Sequence, residues 1–206
     1  MKIKNAFLML CGAVSLMFFS AAASASNFSY SYLGFNLGKL TPDEDIVFLG
    51  EVYEEFGTFS LTSGYQFNPN MALFISSSAA ANEGPTTELS TSSFSLGLMF
   101  PVAVGEYLDI VPGVGFVNAE VEGCSGGLCA SDDESGAAFG LSLRGWAVAE
   151  VLEVSAQIQG STLDDSETFV GLGGALWWAK RHSARLDFGS QKSQRQFSIG
   201  YRYTWR

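Results

Sequence analysis

Charge is the scarcest component of this sequence. Asp, Glu, Lys and Arg make up 16% of its 206 residues, where a soluble domain carries about a quarter. Cations are scarcer still, with 11 Lys and Arg against 21 Asp and Glu and a net charge of −10. An acidic chain gains nothing from a phosphate backbone, which excludes a nucleic-acid binder. A single histidine, His182, leaves little for acid–base catalysis. Beyond the N-terminus no segment approaches the roughly 20 apolar residues of a transmembrane helix. Against these shortages the chain is 47% hydrophobic and 14% aromatic, with 23 glycines. That mixture rules out a disordered or fibrous chain and points to one all-β domain with unusual solvent on one side.

Residues 1–25 have the parts of a secretory signal peptide. Lys2 and Lys4 form a basic start, Ala6 to Phe19 an apolar stretch, and Ala23-Ser24-Ala25 a small-residue cleavage site. Cys11 lies inside the apolar stretch behind Leu10, which does not suit a lipid attachment site. The mature chain, residues 26–206, carries two cysteines in Cys124-Ser-Gly-Gly-Leu-Cys129. An exported protein meets an oxidising compartment, so this even pair is expected to form a local disulfide.

The recurring signal after residue 25 has period two. Phe94, Leu96, Leu98 and Phe100 alternate with Ser93, Ser95 and Gly97; Leu152, Val154, Ala156 and Ile158 alternate with Glu153, Ser155, Gln157 and Gln159. Such segments are two-faced strands. Ten are expected, near 28–40, 56–67, 71–82, 91–101, 107–121, 137–149, 152–162, 168–178, 183–190 and 195–205, with eight as the alternative and a possible bulge after Phe116. Short turns alternate with longer acidic connectors at Thr41–Glu55, Glu83–Ser90, Glu122–Gly136 and Leu163–Glu167. The expected fold is a closed antiparallel up-and-down transmembrane β-barrel.

Three features favour lipid over a soluble core. The polar face is mostly Gly, Ser and Thr, the charges collect in connectors and near strand ends, and Tyr30, Tyr32, Phe67, Phe100, Trp177, Trp178, Tyr203 and Trp205 gather where an interfacial girdle belongs. Closure follows, because a strand edge in hydrocarbon would leave unpaired N–H and C=O groups. Here the mature chain resembles the small outer-membrane β-barrels of Gram-negative bacteria, the OmpA/OmpX-like porin family. The resemblance rests on Tyr32-Leu33-Gly34-Phe35, on Pro112-Gly113-Val114-Gly115 and on the closing hairpin Leu176–Trp205. It implies an outer-membrane location, contact with lipid and lipopolysaccharide, and a monomer. It also implies that Gly200, Tyr203 and Trp205, within Ser198–Trp205, form the signal read by the barrel-assembly machinery. Arg206 departs from the family pattern, in which the aromatic residue ends the chain.

Enzymes among such barrels place a histidine near the outer leaflet or the loops, whereas His182 sits in the short turn Ala179–His182. No catalytic motif, cofactor or resident metal is expected. The acidic connectors hold Asp43, Glu44, Asp45, Glu51, Glu54, Glu55, Asp132, Asp133, Glu134, Asp164, Asp165 and Glu167. They form a solvated rim or bind divalent cations that bridge to lipopolysaccharide phosphates. By parity Asp109, Arg144, Glu153, Arg185, Asp187 and Arg202 all face the lumen. Such charges must pair, and the expectation is an ion-pair network in the lower lumen under a roomier upper half lined by Gly64, Gly97, Gly113, Gly115, Gly171 and Gly173. The expected function is non-enzymatic, either envelope-structural or loop-mediated surface interaction; the alternative is a narrow small-solute pore.

Overall fold

In the computed structural model, which describes residues 26–164 and 167–205, alternation becomes a barrel wall. The signal peptide, Asp165 and Arg206 lie outside the described residues. The strands are β1 (Tyr32–Pro42), β2 (Ile46–Phe48), β3 (Glu51–Tyr53), β4 (Phe56–Asn68), β5 (Met71–Glu83), β6 (Thr87–Met99), β7 (Val102–Val104), β8 (Leu108–Ser125), β9 (Leu128–Val148), β10 (Leu152–Ser161), β11 (Phe169–Trp178), β12 (His182–Gln191) and β13 (Gln194–Thr204). Ten of them follow one another antiparallel around the wall. β1 pairs with both β4 and β13, and β6 pairs with β8, so the circle has no edge. This matches the ten-strand expectation rather than the eight-strand alternative.

The outer surface is apolar. Leu33, Phe35 and Leu37 of β1, Leu61 of β4, Leu172 of β11 and Ile199 of β13 are all exposed, while Asn36 and Ser198 between such residues turn inward. A soluble barrel would have the reverse arrangement. With every ladder closed on itself, no backbone edge meets hydrocarbon, the condition for spanning a bilayer with strands.

Several local expectations are corrected. Residues 28–31 do not open β1; the strand begins at Tyr32, and the preceding segment folds into the mouth of the barrel at the short-turn end. The acidic stretch Glu122–Gly136 is not an open connector. β8 and β9 run through it as a hairpin to Ser125 and Leu128, and the two-residue turn uses positive φ at Gly126 (58°) and Gly127 (82°), which suits glycine. The first connector contains the small β2–β3 hairpin. β8 shows no register shift after Phe116; the irregularities lie at Gln66/Asn68 and Leu152/Glu153. Pro112 lacks an N–H and sits where the β6 ladder ends at Met99–Gly113, just beyond the short β7 ladder.

Position on the lipid face has an energetic consequence. Leu172 is 63% exposed and pairs across to Ala156 and Phe188 in the middle of β11. Leu172→Arg should cost roughly 2–4 kcal/mol of folding free energy, measured by denaturant titration in lipid vesicles. A cost near zero would contradict the lipid-facing assignment of this wall.

Candidate functional site: a filled lumen under a tied loop crown

The lumen is filled in three levels. At the bottom lies residues 26–31. Phe28 stacks on Trp146 of β9 with ring centroids 4.7 Å apart, and both join a cluster with Tyr30, Ala72, Val111 and Met99. Polar anchors fix the segment: Asn27 N–H donates to Asp109 Oδ1 at 3.0 Å, Tyr30 Oη–H donates to Asp109 Oδ2 at 3.0 Å, and Tyr30 N–H donates to Gln66 Oε1 at 3.3 Å. Asp109 is fully buried, and these two donors satisfy a carboxylate that would otherwise be costly to desolvate.

The second level is an ion-pair layer. Arg144 grips Glu153 with two charge-assisted bonds, Nε to Oε1 at 2.8 Å and Nη2 to Oε2 at 3.0 Å. This is the forked geometry in which Arg binds carboxylates best. Trp177 Nε1–H adds a third bond to Oε2 at 2.9 Å. Arg202 Nη1 lies 3.5 Å from Glu153 Oε1, out of line for a hydrogen bond, and its guanidinium carbon sits 4.9 Å above the Tyr32 ring. The Arg144 guanidinium also covers Phe28 at 4.5 Å and Tyr30 at 4.9 Å, welding the ion layer to the apolar plug beneath it. Arg185 holds Asp187 as a separate pair, with bonds of 2.8 and 3.3 Å. The six residues singled out in the sequence therefore divide into three groups: Arg144, Glu153 and Arg202; Arg185 with Asp187; and Asp109, whose partners are the N-terminal segment rather than an arginine.

Above this floor is a cavity of about 420 Å³, lined by Asn36, Ser155, Gln157, Gln196 and Phe169 among others. Of the six lumen glycines only Gly113 leaves ordinary room, its nearest atom to an added Cβ being the Leu98 carbonyl oxygen at 3.5 Å; the other five do not hold the cavity open. A Cβ at Gly97 would fall 2.6 Å from Gly115 Cα and 2.7 Å from Phe74, and one at Gly64 would strike the Tyr32 ring at 2.6 Å. These glycines make room for neighbouring chains and rings.

At the third level the first loop folds inward. Tyr53 of β3 is buried with Phe56 and Ala80, and Phe48 of β2 packs against them. Glu51 accepts bonds from Thr86 N–H (2.9 Å), Thr86 Oγ1–H (2.6 Å), Thr87 N–H (3.2 Å) and Thr87 Oγ1–H (2.5 Å). With the Thr87 hydroxyl proton committed to Glu51, the 2.6 Å contact between Tyr53 Oη and Thr87 Oγ1 has Tyr53 as donor. Other acids of the rim tie loops together in the same way. Asp43 pairs with Arg195 at 3.2 Å, Lys39 pairs with Glu55, Glu167 accepts from Ser193 N–H and Oγ–H at 2.8 Å, and Glu134 accepts from Asp164 N–H at 2.6 Å. The β6–β8 ladder, running up to Thr87–Ser125, completes the ring of loop contacts. At the hairpin tip Cys124 and Cys129 face each other across β8 and β9 and form a disulfide, with Cα atoms 4.0 Å apart.

A closed ten-strand meander with an apolar exterior and charged interior is the architecture of an outer-membrane barrel, and a sequence model of the "Outer membrane protein beta-barrel domain" matches residues 11–203. The chain belongs to that family. It is an outer-membrane protein. No curated protein matches it in sequence. Solved structures similar to it include Ail, the attachment invasion locus protein of Yersinia pestis, at 15% identity, covering 85% of this chain and 100% of that one with a TM-score of 0.46. Neisserial surface protein A is 12% identical, covering 88% and 99% at a TM-score of 0.48. The N-terminal β-barrel domain of Pseudomonas aeruginosa OprF is 10% identical, covering 87% and 98% at 0.42.

Within this outer-membrane barrel the aromatic girdle differs from the sequence expectation. Trp178, His182, Tyr201 and Tyr203 cluster on the outer face near the periplasmic ends of β11, β12 and β13, with His182 Nδ1 2.5 Å from Tyr201 Oη. His182 is thus part of the girdle rather than a solvated turn residue. Tyr30, Tyr32 and Trp177 leave the girdle for the lumen. Trp205 follows β13, partly exposed, with its N–H on Ser31 O at 3.3 Å. Gly200 pairs with Asn36, and a Cβ there would meet the Asn36 side chain and the Phe35 carbonyl. The plug residues Phe28 and Tyr30 and the loop residues Phe48 and Tyr53 were missed as lumen groups. Their only sequence signal is an aromatic residue beside a stretch of strand.

The four hydrogen bonds from Thr86 and then Thr87 hold the Glu51 carboxyl below the ordinary carboxylate range. A carboxyl depressed on folding stabilises the folded loop at pH values above its unfolded pKa, and that stabilisation is lost as pH falls through the lower folded value. The Thr86 and Thr87 amide proton shifts should therefore stay constant from neutral pH through the ordinary Glu range, about pH 4.3, and move only below it. Movement centred on the ordinary value would contradict the contact.

Proposed function

We propose that this outer-membrane barrel is a non-enzymatic surface protein whose interactions are made by its extracellular crown, with the lumen acting as an internal brace. The observation that carries this reading is the occlusion of the barrel. Phe28 and Tyr30 fill the periplasmic end against Trp146, and the Arg144–Glu153–Trp177 layer lies directly above them. The outer end supports the same reading. β8 and β9 are 18 and 21 residues long, where the other wall strands have 10 to 13. β9 pairs with β10 only up to Ala138, so the disulfide-pinned hairpin stands above its neighbour as a presented surface. The lone histidine has tyrosine and tryptophan rings as neighbours on the outer face, which supports a non-catalytic role.

Two partner readings accompany this one. The outward-facing Tyr203 and Trp205 at the end of β13, with Gly200 inside it, suit recognition by the barrel-assembly machinery. Asp133 stands directly across from Glu120 on the raised hairpin. Like charges so placed repel, and a divalent cation shared with lipopolysaccharide phosphate would relieve them.

Planar-bilayer recording of the folded barrel tests the brace. The wild-type protein should be silent. Arg144→Ala, which leaves Glu153 buried without its fork, should cost about 3–5 kcal/mol or open a leak. Wild-type conductance would favour the pore reading, and a silent, fully stable Arg144→Ala variant would refute the brace.

A further inference from the structure

The charges facing the lumen cavity do not balance. Among the described residues Arg144, Arg185 and Arg202 line it, with only Glu153 and Asp187 as carboxylates. Both acids are already engaged. Glu153 takes two bonds from Arg144 and one from Trp177, and Asp187 takes two from Arg185. Asp109, the remaining lumen carboxylate, is spent below on Asn27 and Tyr30 and does not line the cavity. Among the described residues Arg202 is the guanidinium left over. Its side chain is 12% exposed, its Nη1 is buried without a hydrogen-bond acceptor, and among the described residues its charge partner is Glu153 at 3.5 Å, which already holds Arg144 and Trp177. A buried guanidinium nitrogen without an acceptor is costly, because the N–H donors of Nη1 have given up water for no protein partner.

We propose that the cavity is a binding site for a small hydroxylated solute bearing one oxyanion, either a carboxylate or a phosphate, with Arg202 holding the anion. Arg185 assists from the same wall region; its Nε and Nη2 are committed to Asp187, which leaves Nη1 for the ligand. The rest of the lining suits the uncharged part of such a molecule. Gln157, Gln196 and Asn36 offer amide donors and acceptors to hydroxyl groups, and Phe169 offers an apolar face. The cavity of about 420 Å³ admits a molecule of sugar size rather than a polymer. The Phe28–Trp146 stack closes the floor, so the solute enters and leaves from the extracellular side. The site is a dead-end cup and not a conduit, which keeps it independent of whether the crown binds a macromolecular partner.

Calorimetric titration of the folded, detergent-solubilised barrel tests this with three probes built on one hexose ring: glucuronate, glucose 6-phosphate and glucose. At least one of the two anions should bind saturably while glucose does not, and the comparison between them assigns carboxylate or phosphate. Arg202→Gln should weaken the bound anion about tenfold or more, the loss of one charge-assisted contact. Arg202→Lys should retain part of the affinity. Both variants are first checked for folding by their heat-dependent mobility in gels. If Arg202→Gln does not fold, Arg185→Gln carries the test, with a smaller loss expected. Equal binding of glucose and the anions, no binding of either anion, or wild-type affinity in a folded Arg202→Gln barrel would each overturn the proposal.

Discussion

Every feature of this molecule depends on one constraint: a sheet standing in hydrocarbon cannot leave a backbone N–H or C=O unpaired. The pairing of β6 with β8 removes the last edge and turns ten strands into a cylinder. Once the cylinder is closed, the pleat decides everything else. Residues such as Leu37, Leu61 and Leu172 must point to lipid, and their neighbours must point to a narrow interior. Charges on the inward positions have no bulk water to retreat to, so they find partners there. Glu153 is the clearest case, 1% exposed and held by an arginine fork and an indole N–H.

The same constraint explains why chain that is not wall packs into the floor of the lumen and against its outer rim. A closed barrel of this size has inward positions that a single layer of side chains does not fill. The segment before β1 supplies Phe28 and Tyr30 at one end, and the first loop supplies Phe48 and Tyr53 at the other. Acids that look like a repelling rim in the sequence become the acceptors that hold the loops together. Glu51 fixes the first loop to the second, and Asp43 and Glu167 fix their loops to the fifth. The lumen is therefore a chamber floored by the N-terminal segment and rimmed by the first loop, and among the described residues Arg202 is the guanidinium there without a hydrogen-bonded carboxylate.

The period-two pattern made the wall legible because lipid and lumen demand opposite residues at successive positions. It could not mark where a wall ends. Phe28-Ser29-Tyr30-Ser31 alternates just as β1 does, yet the chain turns into the lumen before Tyr32, and only the tertiary partners Asp109, Gln66 and Trp146 account for that. Trp177 and Trp178 illustrate the same blindness at single-residue scale: adjacent and alike, one donates to Glu153 inside and the other stacks on His182 outside. The run Ser131–Ser135 resembles a loop in composition but forms a ladder, because β8 offers a partner strand and the Gly126–Gly127 turn sets the register. Parity did place all six lumen charges on the inner face. It could not say that Asp109 would be claimed by a tyrosine and a backbone amide, since those donors come from outside the wall.

The central claim is that residues 26–31 sit inside the barrel and close its periplasmic end. The most direct measurement is the nuclear Overhauser contact between the Phe28 ring and the Trp146 indole in the folded barrel in detergent micelles. Stacked rings with centroids 4.7 Å apart predict strong cross-peaks and ring-current-shifted Phe28 resonances. Narrow, random-coil resonances for residues 26–31 with no contact to Trp146 would contradict the account.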